Sequence, residues 1–282
     1  MLSMIRGEHQ SRGGSSPIIR FILGFFVMIG ALMFLGCPLR MILRLGGGDL
    51  NALFGIAGFA GGVGIGTIFL KRGYSLQRTY ALSKLESAIM PAIQVGLLVL
   101  VVTAPAFIFF SQKGPGAMHA PWLISLAAGL VVGGLSQYSR LCTVGGFRDL
   151  FLFKKSVLIF GYIAVLVGVF AVNISFGNFH LGFENQPVSH TDGLWNFLGM
   201  ALAGFCSVLL GGCPLRQLIM TGEGNSDSAV TVLGLAAGAA FAHNFGLAAS
   251  GAGPTLNGQI AVGIGFVVAL IIAVLNTKRS NA

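Results

Sequence analysis

Apolar residues run through this chain in long stretches, separated by short clusters of Lys, Arg and Gly. A helix needs about 20 mostly apolar residues to cross the hydrocarbon core of a bilayer. Eight runs meet that need, near 18–36, 51–70, 88–110, 121–138, 156–176, 194–211, 228–249 and 258–276. Several are short and interrupted by glycine. The pattern predicts an all-α polytopic membrane protein of about eight transmembrane helices. It divides the chain into a basic N-terminus over 1–17, one transmembrane domain over 18–277 and a tail over 278–282.

Composition agrees with this pattern and excludes the alternatives. Of 282 residues, 55% are hydrophobic and 9% charged, against about 25% charged in a soluble domain. Mean hydropathy is +0.85. Such a chain cannot cover a water-facing surface. The net charge of +9 does not indicate a nucleic-acid partner, because the cations cluster between apolar runs, as in the positive-inside pattern. With eight spans and both termini in the cytoplasm, 14 of the 17 Lys and Arg residues fall inside; Arg40, Arg44 and Lys113 fall outside. The 43 glycines predict closely packed helices.

One pentapeptide occurs twice. Gly36-Cys37-Pro38-Leu39-Arg40 returns as Gly212-Cys213-Pro214-Leu215-Arg216, 176 residues later. Gly46 and Gly48 fall opposite Gly222 and Gly224, and Asp49 and Asn51 lie near Asn225 and Asp227. Each copy follows one apolar span and precedes another. By the charge count the first span leaves the cytoplasm and the sixth enters it, so the repeat units, around 18–70 and 194–249, are inverted. Inverted repeats with broken helices at the midplane are a transporter architecture. Pro38 and Pro214 cannot continue a helix, and broken backbone at membrane depth must be buried in protein or line a wet cavity. The two loops are therefore expected to dip inward and meet. A third loop, Arg140-Leu141-Cys142-Thr143-Val144-Gly145-Gly146-Phe147-Arg148, has the same parts in another order.

These loops bear the candidate chemistry. Cys37, Cys142 and Cys213, with Arg40, Arg140, Arg148 and Arg216, form the expected substrate path. Arginine attracts an anion and bonds it in bidentate fashion, and helix N-termini after each break add positive dipole. A thiol is a soft, weak donor, suited to sulfur or selenium. A thiolate would repel the anion, so the thiols are expected to be protonated. Cys142 is expected to be the innermost thiol contact. Cys206 lies inside an apolar run and reads as a small core residue. A metal site needs clustered ligands, and His243 stands alone; no metal, cofactor or catalytic residue is expected. A membrane-bound sulfur- or selenium-handling enzyme would need a base beside a thiol, and a scaffold subunit of selenium metabolism would not need inverted Cys–Arg loops.

The paired Gly-Cys-Pro-Leu-Arg loops and the stretch from Ser139 to Asp149 resemble the YeeE/YedE family, within it the YedE-type selenium transporter branch. Segments 223–227, 239–245 and 113–121 are similar to that branch as well. The resemblance implies a bacterial inner-membrane permease for a selenium- or sulfur-containing anion such as thiosulfate. It further implies a path lined by central cysteines, matched here by Cys37, Cys142 and Cys213 but not Cys206, and a small soluble sulfur carrier of the TusA/SirA type as partner. Members of the branch begin with a further cysteine-bearing segment ahead of the stretch resembling 18–70. That implies a short variant, a start further upstream, or a partner that supplies the inverted mate of the Cys142 loop.

Overall fold

A computed structural model describes residues 12–76, 79–103, 120–155 and 157–277. Arg6, Arg78, Lys113, Lys278 and Arg279 lie outside the described residues, as do most of the 113–121 segment and the end of the predicted 88–110 span. Among the described residues the chain forms helices α1 (Pro17–Phe34), α2 (Pro38–Gly46), α3 (Asn51–Lys71), α4 (Lys84–Thr103), α5 (Trp122–Ser139), α6 (Thr143–Phe153), α7 (Val157–Ser175), α8 (Gly193–Leu210), α9 (Pro214–Gly222), α10 (Ser226–Asn244) and α11 (Leu256–Leu275). Strands β1 (Arg12–Gly13) and β2 (Tyr80–Ala81) make a two-residue antiparallel ladder.

The protein is an all-α polytopic membrane protein. Among the described residues seven runs are long and apolar enough to cross a bilayer: α1–α2, α3, α4, α5–α6, α7, α8–α9 and α11. The eighth predicted span, 228–249, is helix α10, which falls short in apolarity because both its ends are polar. At its start the Asn225 side chain accepts the Ser228 N–H at 2.9 Å, and Asp227 accepts the Ser15 N–H at 3.0 Å. His243 and Asn244 close it.

Glycines set the core. A Cβ on Gly58 of α3 would lie 2.0 Å from the Phe197 carbonyl oxygen of α8, and one on Gly62 would lie 2.0 Å from that of Ala201. Backbones at this distance exclude any side chain. The same contact recurs 176 residues away: Gly234 and Gly238 of α10 press on the Phe21 and Phe25 carbonyls of α1, at 2.3 and 2.5 Å from a Cβ. Each glycine and each carbonyl has its counterpart at the offset that relates Cys37 to Cys213. The central pair, α1 and α8, cross antiparallel, with Gly30 against Gly199. The inverted repeat therefore extends through both packed pairs, α3 on α8 and α10 on α1. After each short helix a glycine turns the chain at positive φ, Gly48 at 100° and Gly224 at 87°, where β-carbon-bearing residues are strained.

Gly62→Ala and Gly238→Ala should each destabilise the purified protein by about 1–3 kcal/mol through overpacking. Gly168→Ala on α7, where a Cβ meets nothing within 4 Å, should be neutral. Thermal unfolding in detergent checks the contrast.

Candidate functional site

Each predicted cysteine loop is a break between a long helix and a short one, and all three breaks have one geometry. The long helix ends on a residue in the left-handed region: Leu35 at φ 63°, Arg140 at 51° and Gly211 at 83°. The following N–H closes a bond five residues back, Gly36 to the Ala31 carbonyl at 2.8 Å, Leu141 to Ser136 at 3.1 Å and Gly212 to Ser207 at 3.0 Å. This is the Schellman ending. The cysteine comes next, with extended backbone, and is the N-cap of the short helix. The prolines thus do not break the helices. Pro38 and Pro214 take the first helical position of α2 and α9, where a missing N–H costs nothing, and the third break manages with Thr143.

The ends exposed by the first break are satisfied inside the protein. Helix α1 leaves orphan carbonyls at membrane depth. Ala249 donates to Leu32 at 3.2 Å, His190 Nε2 meets the Met33 carbonyl at 2.8 Å, and Arg44 Nη1 donates to Phe34 at 2.6 Å. Arg44, counted from sequence only as an outer charge, is buried. It also pairs with Asp49 at 2.7 Å, donates to Ser189 at 2.5 Å and stacks 4.0 Å from the Phe34 ring centroid. Sequence reasoning missed Arg44 and His190; the Arg44–Asp49 spacing directly after the first repeat was the available signal.

The structure brings Cys142 and Cys213 together. Both are buried free thiols, and their side chains lie close enough to interact with each other. Cys142 Sγ also accepts the Gly145 N–H at 3.4 Å, while Cys213 Sγ lies against the N–H groups of Arg216 and Thr143. The N-termini of α6 and α9 therefore converge on one thiol pair. Thr143 Oγ1 donates to the Tyr162 hydroxyl at 2.7 Å, and Tyr162 lies within electrostatic reach of Cys213, Cys142 and Cys37. Phe34, Met41 and Phe59 belong to the same buried cluster as the pair. A cavity of about 130 Å³ opens beside it, lined by Ile42, Thr143, Phe147 and Tyr162. Cys37 is half-buried at the edge of this cluster. Cys206 is fully buried in a separate core with Leu202, Phe205 and Leu209.

The predicted arginines divide. Arg216 is half-buried, its stem against Gly212, and its Nη1 is buried with no hydrogen-bond partner. Arg40, its repeat counterpart, covers Gly36 with its stem and is exposed. Arg140 is exposed. Arg148 is half-buried and paired with Asp149 at 2.8 Å.

An inverted pair of broken membrane helices with thiols in the breaks defines a polytopic membrane protein of the kind that forms internal substrate paths. Residues 138–278, half of the chain, match the family described as sulphur transport, and the chain belongs to that family. Over 115 residues it is 27% identical to the thiosulfate transporter TsuA of Escherichia coli (strain K12). That match covers 38% of this chain and 30% of the relative's length.

Burial lowers the His190 pKa below its ordinary value; the nearby Arg44 lowers it further, while Asp192, Asp49 and the Met33 carbonyl oppose the shift. Its Nδ1 is buried without a partner, so protonation there is disfavoured. A depressed pKa makes the unfolded chain bind the extra proton first, so stability falls as pH drops below about 6.5. Thermal melts between pH 5 and 8 should show this loss in the wild type and a smaller one in His190→Gln.

Proposed function

We propose that the protein is a permease for a small sulfur- or selenium-containing anion in the bacterial inner membrane, with both termini cytoplasmic. The observation that carries this reading is the pair of helix N-termini, α6 and α9, meeting at two neighbouring buried thiols. Two helix N-termini supply partial positive charge without a full counter-ion. Two S–H groups contact a soft sulfur or selenium atom. Arg216, three residues after Cys213 and with a buried Nη1 that has no hydrogen-bond partner, supplies one formal charge. Cys37 and Arg40 form the equivalent point on the inverted copy, toward the outside. Cys142, on the helix that carries Arg148, is the last thiol before the inside, with Arg140 at the start of its loop. A soluble carrier of the TusA/SirA type would accept the anion there.

The family and the thiosulfate-transporting relative support a sulfur anion. Selenium enters through the branch resemblance and through thiol chemistry, which does not separate the two elements. Burial of Cys142 and Cys213 keeps water from the thiols, which strengthens each weak donor.

Uptake into proteoliposomes tests the reading. Thiosulfate, sulfite, selenite and selenate are offered in competition, with uptake normalised to folded protein. Cys142→Ser and Cys213→Ser should each lower uptake about tenfold, the cost of one good hydrogen bond to a charged ligand. Cys206→Ser should transport like the wild type once corrected for stability. Equal losses at all three positions would reject the thiol path.

A further inference from the structure

A second polar cavity lies apart from the thiol pair. Its volume is about 570 Å³, and Arg12, Arg20, Arg148, Ser15, Tyr74 and Gly211 are among its lining residues. It sits at the end of the bundle where α1 begins and where α3 and α8 finish. Gly211 is the left-handed residue that ends α8, two residues before Cys213. Arg148 is on α6, six residues after Cys142. The cavity thus touches α6, which Cys142 caps, and the end of α8 just before Cys213.

Its walls are built for negative charge. Arg20 donates from Nε to the Ser15 carbonyl at 2.8 Å and from Nη2 to Ser15 Oγ at 3.2 Å. Asp227 stands 3.7 Å from the same Nη2. The carboxylates that answer Arg20 and Arg148, Asp227 and Asp149, are not among the lining residues. They fix the arginines from behind. Tyr74 is 6% exposed, yet its hydroxyl has no hydrogen-bond partner. A buried orphan hydroxyl is costly. Here it borders a cavity and stands near Arg20. Burial, the main cause, raises the Tyr74 pKa well above its ordinary value, so the group keeps its proton and can only donate to an anion.

We propose that this cavity is a binding site for a small tetrahedral oxyanion, held by Arg20, Arg148 and the Tyr74 hydroxyl, and that it is the inner station next to the Cys142–Cys213 pair. The site rests on the permease reading for its place in the path, but not for its ability to bind. The same chemistry would suit the phosphate of an anionic lipid, and the experiment separates the two sources.

The protein is reconstituted in nanodiscs of phosphatidylcholine and its thermal midpoint followed against thiosulfate, sulfate and selenate. At least one anion should raise the midpoint saturably. Tyr74→Phe removes only an unpartnered hydroxyl, so its midpoint without anion should equal or exceed that of the wild type. Its apparent Kd for the anion should rise about tenfold. Arg148→Gln should weaken binding similarly, while Gly168→Ala on α7, outside the cavity lining, should leave this binding within about twofold. The proposal is overturned if no anion shifts the midpoint, or if Tyr74→Phe binds as the wild type does. Stabilisation by phosphatidylglycerol alone, with no response to the small anions, overturns it too and makes the cavity a lipid seat. Tyr74-dependent binding in a protein that transports none of the anions would leave this site standing and remove the permease reading.

Discussion

A helix broken inside a bilayer leaves carbonyls facing one way and N–H groups facing the other, with no water to take either. In this protein the two sets are treated differently. At the first break the carbonyls of α1 are met one by one, by Ala249, His190 and Arg44. The N–H groups of the short helices are left to face thiols. Since sulfur is a weak acceptor, these donors are only partly satisfied at Cys142 and Cys213. In the proposed permease, a site fully bonded on its structural side and under-bonded on the other would take a guest with strong acceptor oxygens.

The two inverted copies share backbone geometry but not the means of holding it. In the first, Asp49 pairs with Arg44 from its own short helix. The equivalent of Arg44 in the second copy is Met220, and Asp227 pairs instead with Arg20 at the start of α1. The acid has moved as well: Asp49 and Asn51 stand opposite Asn225 and Asp227. Each buried acid still ties a repeat to the central α1–α8 pair. The Asp49 lock fixes the end of α1 and the Asp227 lock its beginning. Breaking either by removing one partner would strand a charge at membrane depth, which is far costlier than losing the pair.

Much of this was legible before any coordinates. The apolar runs gave the helices, and the doubled Gly-Cys-Pro-Leu-Arg gave the inversion, because both signals are local in sequence. The repeat could have been followed further, through Gly58 and Gly62 opposite Gly234 and Gly238, since small residues four apart mark close helix contacts. What could not be read was which cysteines meet. Cys142 sits in the loop without a repeated partner, yet it is the one whose thiol neighbours that of Cys213. That choice is made by how α6 lies against α3 and α8, a tertiary matter. The span expected over 228–249 starts two residues inside the helix and runs five past its end, because the apolar residues after His243-Asn244 continue the hydrophobic run. Tyr162, Thr143 and Tyr74 were invisible because one hydroxyl in an apolar stretch is ordinary until its neighbours are known.

The arginines show how structure separates a charge that holds from a charge that waits. Arg44 donates from Nε, Nη1 and Nη2 to fixed oxygens and has little left to offer a ligand. Arg216 has a buried Nη1 with no partner and sits three residues after the Cys213 cap. A buried unpaired donor is maintained against a real cost, and at a substrate path the compensating gain comes when the anion arrives. One such charge, with two helix termini and two thiols, binds less tightly than a cage of paired arginines would. For conduction that is an advantage, because a site in a path must be favourable enough to enter and weak enough to leave. At the inner cavity Arg20 and Arg148 are each paired with a carboxylate, Asp227 and Asp149, so the proposed path there too offers an anion a partly compensated positive charge rather than a bare one.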